Sequence, residues 1–245
     1  MKRLCIILAC LSSLTGTYAE TAEEILQHTT LFGRAANTQM SITMEIVKPR
    51  GTKSRTLEAF VRQEGTASQI LLHIVSPAFL SQMKFLSDRD EKGRESKWLK
   101  TSSGVRRLSE GNRTEPLFDS DFTVEDLSEI YPDDFDLALL GDKQAGPYLC
   151  DLIEAVPRFA GSSYSKKWIY VEKDTGILCA VDFFGRDDQP VKRYRLLEVQ
   201  TVAGNTYPFS CRMEGVSDGT FTELEFPRIE IVDRLPDKLF SRASL

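Results

Sequence analysis

KWLKTSSGVRRLSEGNRTEPLFDSDFTVEDLSEIY, residues 97–131, breaks the pattern of the chain around it. It opens as a basic strand-like segment, passes through a polar loop and ends in what reads as a short capped helix, while its flanks alternate like β-strands. Thr123 is suited to an N-cap, with Asp126 at the third helical position; Phe122 and Leu127 form a hydrophobic staple across the cap. Glu125, Asp126 and Glu129 suit the positive end of a helix dipole, and Pro132 stops the element after about two turns. Val124, Leu127, Ile130 and Tyr131 give it an apolar side. So short a helix must dock to persist, since isolated helices below roughly 12 residues are marginal. The expectation is a helix over Thr123–Tyr131 covering a sheet, either as a lid or as a structural plug.

The flanks supply the sheet. Met40, Ile42, Met44 and Ile46 alternate with Ser41, Thr43 and Glu45, and Leu57, Ala59 and Val61 repeat the device beyond a turn at Pro49-Arg50-Gly51. Ile70–Val75 is nearly continuous apolar sequence, followed by Met83 and Phe85. Downstream, strand-like runs cover 136–140, 148–156, 167–172, 177–184, 191–199, 207–213 and 221–232, separated by turn signals at 141–147, 174–176, 185–190, 204–205 and 218–219. The predicted class is mainly β (α+β): a strongly curved antiparallel sheet or half-barrel of about eleven or twelve strands, because twist accumulates in a long sheet. Thr21-Ala22-Glu23-Glu24 is a capping box and predicts an N-terminal helix.

Residues 1–19 carry Lys2 and Arg3, an apolar run and a small-residue end at Thr17-Tyr18-Ala19, the marks of a cleavable secretory signal. A second reading takes Ile7-Leu8-Ala9-Cys10 as a lipobox with lipidation at Cys10. Residues 20–245 then form a single domain in the periplasm, without a further stretch of about 18 apolar residues. The formal net charge is −5, and −7 once Lys2 and Arg3 are removed, which argues against nucleic acid as a partner. Cys150, Cys179 and Cys211 are far apart and contain no CxxC; buried free thiols are expected, although one disulfide is permitted.

Several constellations fail as chemistry. Gly215-Val216-Ser217-Asp218-Gly219 matches G-x-S-x-G, but a strand follows where the nucleophile elbow needs a helix, and His28 and His73 lie upstream. A lipase or esterase using Ser217 is the weaker alternative. The acidic run from Asp119 to Asp136 has Val124 and Ile130 where a calcium loop needs Gly and Glu, so it reads as a solvated, helix-capping face. No zinc spacing or dinucleotide fingerprint occurs, and no catalytic residue, metal or cofactor is expected. Lys97, Lys100, Arg106 and Arg107 could contact phosphate headgroups or an acidic partner.

The stretch around Ser76-Pro77, Trp98-Leu99 with Val105–Ser109, Asp119–Leu127, Gly176–Arg195 and Leu235–Phe240 resembles the bacterial outer-membrane lipoprotein-sorting proteins of LolA-like type. The resemblance covers nearly all of residues 20–245 and is closest in the middle; it suggests a longer branch. It implies a half-barrel around a lipophilic cavity and a periplasmic carrier or chaperone for lipoprotein acyl chains or lipid, with an inner-membrane release complex and an outer-membrane acceptor as partners. The same architecture is similar to an envelope sensor, which is the alternative from a different class. The residues expected to line the cavity are Met40, Ile42, Met44, Ile46, Leu57, Val61, Ile70, Leu72, Met83, Phe85, Trp98, Phe122, Leu127, Ile130, Phe183, Phe209 and Met213. The four methionines are either adaptable contacts for varied chains or ordinary core filler.

Overall fold

The computed structural model describes residues 20–27, 29, 32, 35–127 and 130–245; the expected signal peptide and Cys10 lie outside them. Among the described residues the order is a helix, α1 (Ala22–Gln27), followed by thirteen strands. These are β1 (Asn37–Lys48), β2 (Gly51–Glu64), β3 (Ala67–Ser76), β4 (Lys84–Arg89), β5 (Glu95–Thr101), β6 (Gly104–Leu108), β7 (Phe135–Ala145), β8 (Tyr148–Pro157), β9 (Lys166–Glu172), β10 (Leu178–Phe184), β11 (Pro190–Val202), β12 (Asn205–Gly215) and β13 (Phe221–Ile231). At α1 the Thr21 amide donates to Glu24 Oε2 at 2.8 Å and the Glu24 amide donates to Thr21 Oγ1 at 3.2 Å, so the capping box forms as read. Those bonds hold the Glu24 carboxyl below its usual range.

All thirteen strands form one antiparallel sheet in the order β6-β5-β4-β3-β2-β1-β13-β12-β11-β10-β9-β8-β7. Two meanders therefore meet at the central β1–β13 pair, where Met40 lies opposite Ile229 and Met44 opposite Leu224. The outermost strands are β6 and β7, consecutive in the chain yet at opposite edges, and the sheet does not close into a barrel. The connection 109–134 must pass from one edge to the other. Its contacts reveal the curl: Tyr131 lies 2.6 Å from Ser68 of β3 through their hydroxyls, and Arg89 of β4 reaches Asp134 beside β7 at 3.2 Å. Irregularities in strand pairing at Ser41–Thr43, Leu139–Gly141, Leu178–Ala180 and Leu196–Val199 supply local bends. Gly141 is one of these: φ of +103° places it at a bulge within β7, whereas the sequence suggested a turn; the turn comes at Gly146-Pro147.

The main core lies on the concave face, where alternate residues of β1, β2 and β3 join Ile153, Ile169, Val181, Tyr207 and Phe226 from the other half. Two smaller clusters lie elsewhere on the sheet. One gathers Cys150, Leu152, Tyr170 and Cys179; the other sets Leu235 and Phe240 of the C-terminal segment against Leu71 and Leu86. All three described cysteines are free and buried.

Candidate functional site: a trough and the segment that fills it

The expected helix over Thr123–Tyr131 does not form among the described residues. Thr123 makes an isolated bridge with Pro116, and Val124–Leu127 are turn. Half of the capping chemistry survives, because the Thr123 amide donates to Asp126 Oδ2 at 2.7 Å. The helix is forgone because Glu125 and Asp126 turn inward to the sheet. Leu117, Phe118, Phe122, Val124 and Leu127 all enter the main core, which makes the connection a plug in the trough.

Three sets of polar contacts secure this plug. Asp119 sits 3.0 Å from Lys48 Nζ and 2.6 Å from Lys53 Nζ, and Arg55 donates to the Phe118 carbonyl. The Lys53 hydrogen bond, with help from Lys48, holds the Asp119 carboxyl below its usual range against a smaller opposing effect of burial. Phe118 and Asp119 both have left-handed backbone, φ +54° and +61°, an uncommon state for a bulky residue that the surrounding contacts maintain. Next, Asp121 accepts from Thr220 and Thr222 hydroxyls at 2.6 Å each, both on or beside β13. Finally, Glu125 accepts from Ser162 Oγ at 2.6 Å and the Ser163 amide at 2.9 Å, while Asp126 accepts from Tyr164 Oη and Lys192 Nζ at 2.7 Å each. Lys167 Nζ lies 3.8 Å from Glu125. Burial pushes the Lys167 ammonium pKa down, opposed by Glu125 and Asp126, and burial beside Asp126 pushes the Tyr164 phenol up. The acidic run read as a solvated face therefore supplies carboxylates that tie the plug to the sheet.

Of the residues expected to line a cavity, Met40, Ile42, Met44, Ile46, Leu57, Val61, Ile70, Leu72, Phe85, Phe122, Leu127, Phe183 and Met213 meet in the central cluster; Met83 and Ile130 pack partly buried against it. Trp98 does not join them. Its neighbours Lys97 and Leu99 are buried, and strand alternation turns the indole towards the C-terminal segment, where Arg242 lies over the ring. Phe209 is half-buried outside the central cluster, opposite the irregular pairing of β11. The basic set also divides: Lys97 is buried beside Glu95, Arg106 pairs with Glu115, and Arg107 reaches over Trp98. Sequence reading missed Lys167 and Lys192, although Lys167 shares the phase of Ile169 and Val171, which enter the core.

A small pocket of about 20 Å³ lies between Phe32, Met44, Leu57, Leu117 and Phe122 of the described residues. A larger cavity, about 570 Å³, lies where β4–β6 approach β7 and β9. It is lined by Arg89, Arg113 and Lys167 as well as Leu108, Val124 and Phe159. Among the described residues no cluster of metal-ligating side chains occurs. Ser217 lies in the turn between β12 and β13, and His73 Nε2 is 2.8 Å from the Ser81 carbonyl oxygen.

A family model described as a "-like" uncharacterized protein matches residues 66–245, well over half of the chain. No curated protein matches it at a significant level. Among solved structures, the chain is similar to a DUF1329 family protein from Desulfovibrio piger, with 21% identity, TM-score 0.79 and coverage of 86% of this chain and 92% of that one. It is also similar to an outer membrane lipoprotein-sorting protein domain from Vibrio parahaemolyticus, with 19% identity, TM-score 0.80 and coverage of 85% and 91%. A LolA superfamily protein from Nitrosomonas europaea is 19% identical at TM-score 0.72, covering 93% of this chain and all of that one. The chain belongs to the family that the matching model describes, and its fold is that of the LolA-like lipoprotein-sorting proteins.

Proposed function

We propose that the protein is a non-enzymatic periplasmic carrier or chaperone, in which the plug gives way to acyl chains of a lipoprotein or lipid. The observation that carries this reading is the connection 109–134, which crosses the concave face from edge to edge and fills an apolar trough with side chains of its own. The pocket between Phe32, Met44, Leu57, Leu117 and Phe122 holds about 20 Å³, whereas small-molecule sites typically offer about 300 Å³ or more, so a chain takes this place as the plug leaves. The energies suit an exchange. Re-exposing Leu117, Phe118, Phe122, Val124 and Leu127 costs about 2 kcal/mol each, roughly 10 in all, while sheltering a chain of about fifteen carbons is worth about 12 kcal/mol. With these terms nearly balanced, the polar contacts at Asp119, Asp121, Glu125 and Asp126 set the direction.

Native mass spectrometry of protein purified without detergent tests the reading. A stoichiometric lipid or amphiphile, or its uptake on titration, is the expected result; a filled core that takes up none opposes it. Affinity capture should recover inner-membrane release and outer-membrane acceptor proteins. Recovery of a transmembrane signalling protein instead would favour a sensor of the same fold.

A further inference from the structure

We propose that the cavity between β4–β6 and β7 and β9 is a receptor for phosphate, placed to hold the headgroup of an anionic amphiphile whose chain occupies the trough. The inference rests on the acyl-chain reading above and adds the chemical class of the polar end. Leu108, Val124 and Phe135 line this cavity and also belong to the central core, so the two spaces share walls. A ligand with one charged end and one apolar end matches that junction.

The polar lining is unevenly satisfied. Each buried or half-buried carboxylate has donors: Asp134 accepts from Arg89 Nη1 at 3.2 Å, Glu95 accepts from Ser87 Oγ at 3.0 Å and sits 2.8 Å from Lys97, and Glu125 accepts from Ser162 and Ser163. Among the described lining residues the remaining acid, Glu110, is exposed. The cations retain unused capacity. Among the described residues Arg89 Nε and Arg113 Nε are both buried with no hydrogen-bond partner, and a buried donor left without an acceptor is destabilising. Arg113 lies over the Phe159 ring at 4.2 Å and makes no ion pair with any described residue. Lys167, 5% exposed, is 3.8 Å from its nearest carboxylate, beyond hydrogen-bond length. Two forked guanidinium groups and a desolvated ammonium around one cavity match a phosphate, whose several acceptor oxygens can engage them together.

Calorimetry on the intact protein, below micelle-forming concentrations, compares a lysophosphatidic acid with a lysophosphatidylcholine of the same chain length, and with inorganic phosphate alone. The phosphate monoester should bind at least about tenfold more tightly than the zwitterion, and inorganic phosphate far more weakly than either. Arg113→Gln, in protein that still folds by circular dichroism, should reduce the headgroup preference to under about threefold; Arg113→Lys should retain part of the preference. Equal affinity for the two lysolipids, or an undiminished preference in folded Arg113→Gln, overturns the headgroup site and leaves the carrier reading standing. Inorganic phosphate binding as tightly as the lysolipid overturns the link to a chain. Failure of both lysolipids to bind defeats the carrier reading and the headgroup site with it.

Discussion

The two ends of the plug are fastened by the same kind of group in opposite surroundings. At one end Asp119 is about half exposed and its hydrogen-bond partners Lys48 and Lys53 are part-exposed and exposed, with only the buried Arg55 more distant at 3.8 Å. At the other end the Asp126 side chain is fully buried and Glu125 nearly so, with Lys167, Lys192 and Tyr164 closing around them. Exposed ion pairs contribute about 0–1 kcal/mol, whereas breaking a buried pair costs about 3–5, because the surviving charge is left without water or partner. Similar distances thus conceal a difference of several kcal/mol. The Asp119 end should open first, and the 125–126 end should act as the hinge about which 117–122 lifts.

The largest effect expected is that of Asp126→Ala, which strands the Lys192 ammonium and the Tyr164 hydroxyl. Equilibrium denaturation should show a loss of about 3–5 kcal/mol, with partial recovery when Lys192→Met is added. A loss below about 1 kcal/mol would mean that the buried end is no firmer than the exposed one. Next comes Phe122→Ala, which removes a ring 1% exposed at the centre of the plug and should cost about 3 kcal/mol or more. If the plug competes with ligand, this variant should also bind lysophosphatidylcholine more tightly than the parent. Weaker chain binding by the folded variant would instead assign Phe122 to the ligand's own contacts. Leu127→Asp places a carboxylate in the core beside Phe122, loosens the plug and should likewise tighten chain binding while the sheet persists; unchanged binding would make the plug a purely structural cover.

The sheet was legible because its signal is periodic and local. Met40 to Ile46 and Leu57 to Val61 place every second side chain on one face, and turns at Pro49-Arg50 and Asp174–Gly176 mark where strands reverse. The curl and the covering element followed from strand number and one interruption. What stayed hidden was the fate of the carboxylates. A local reading of Thr123, Glu125 and Asp126 favours a capped helix, and the Thr123 amide does bond to Asp126. Partners more than thirty residues away then override that preference, with Ser162 and Tyr164 reaching Glu125 and Asp126 and Lys192 lying still farther along the chain. Charge runs are usually solvated, so nothing local announces that this one is buried. The one available signal was phase: Lys97 is in phase with Leu99 and Lys167 with Ile169, which puts ammonium groups on the inner face. The same phase argument excludes Trp98 from that face.

The smallest effect separates the two ends most cleanly. Asp119 has its carboxyl pKa held below the usual value near 3.8 by Lys53 and Lys48. A carboxylate lowered in the folded state binds fewer protons there than in the open state. Its contribution is therefore complete above the open-state pKa and is lost as pH falls through the folded-state value. Amide exchange at 118–123, corrected for intrinsic rates, should thus show constant protection from neutrality to about pH 4 and a decline below it. Glu115, lowered by its hydrogen bond to Arg106, acts in the same direction nearby. Asp119→Asn keeps a residue that tolerates the left-handed backbone while removing the charge, so global stability should change by less than about 1 kcal/mol. Its local protection at neutral pH should fall towards the parent's acid value, and the difference between the two proteins should shrink as acid protonates Asp119. Equal protection at neutrality would show that Arg55 at the Phe118 carbonyl, rather than the exposed ion pairs, holds this end closed.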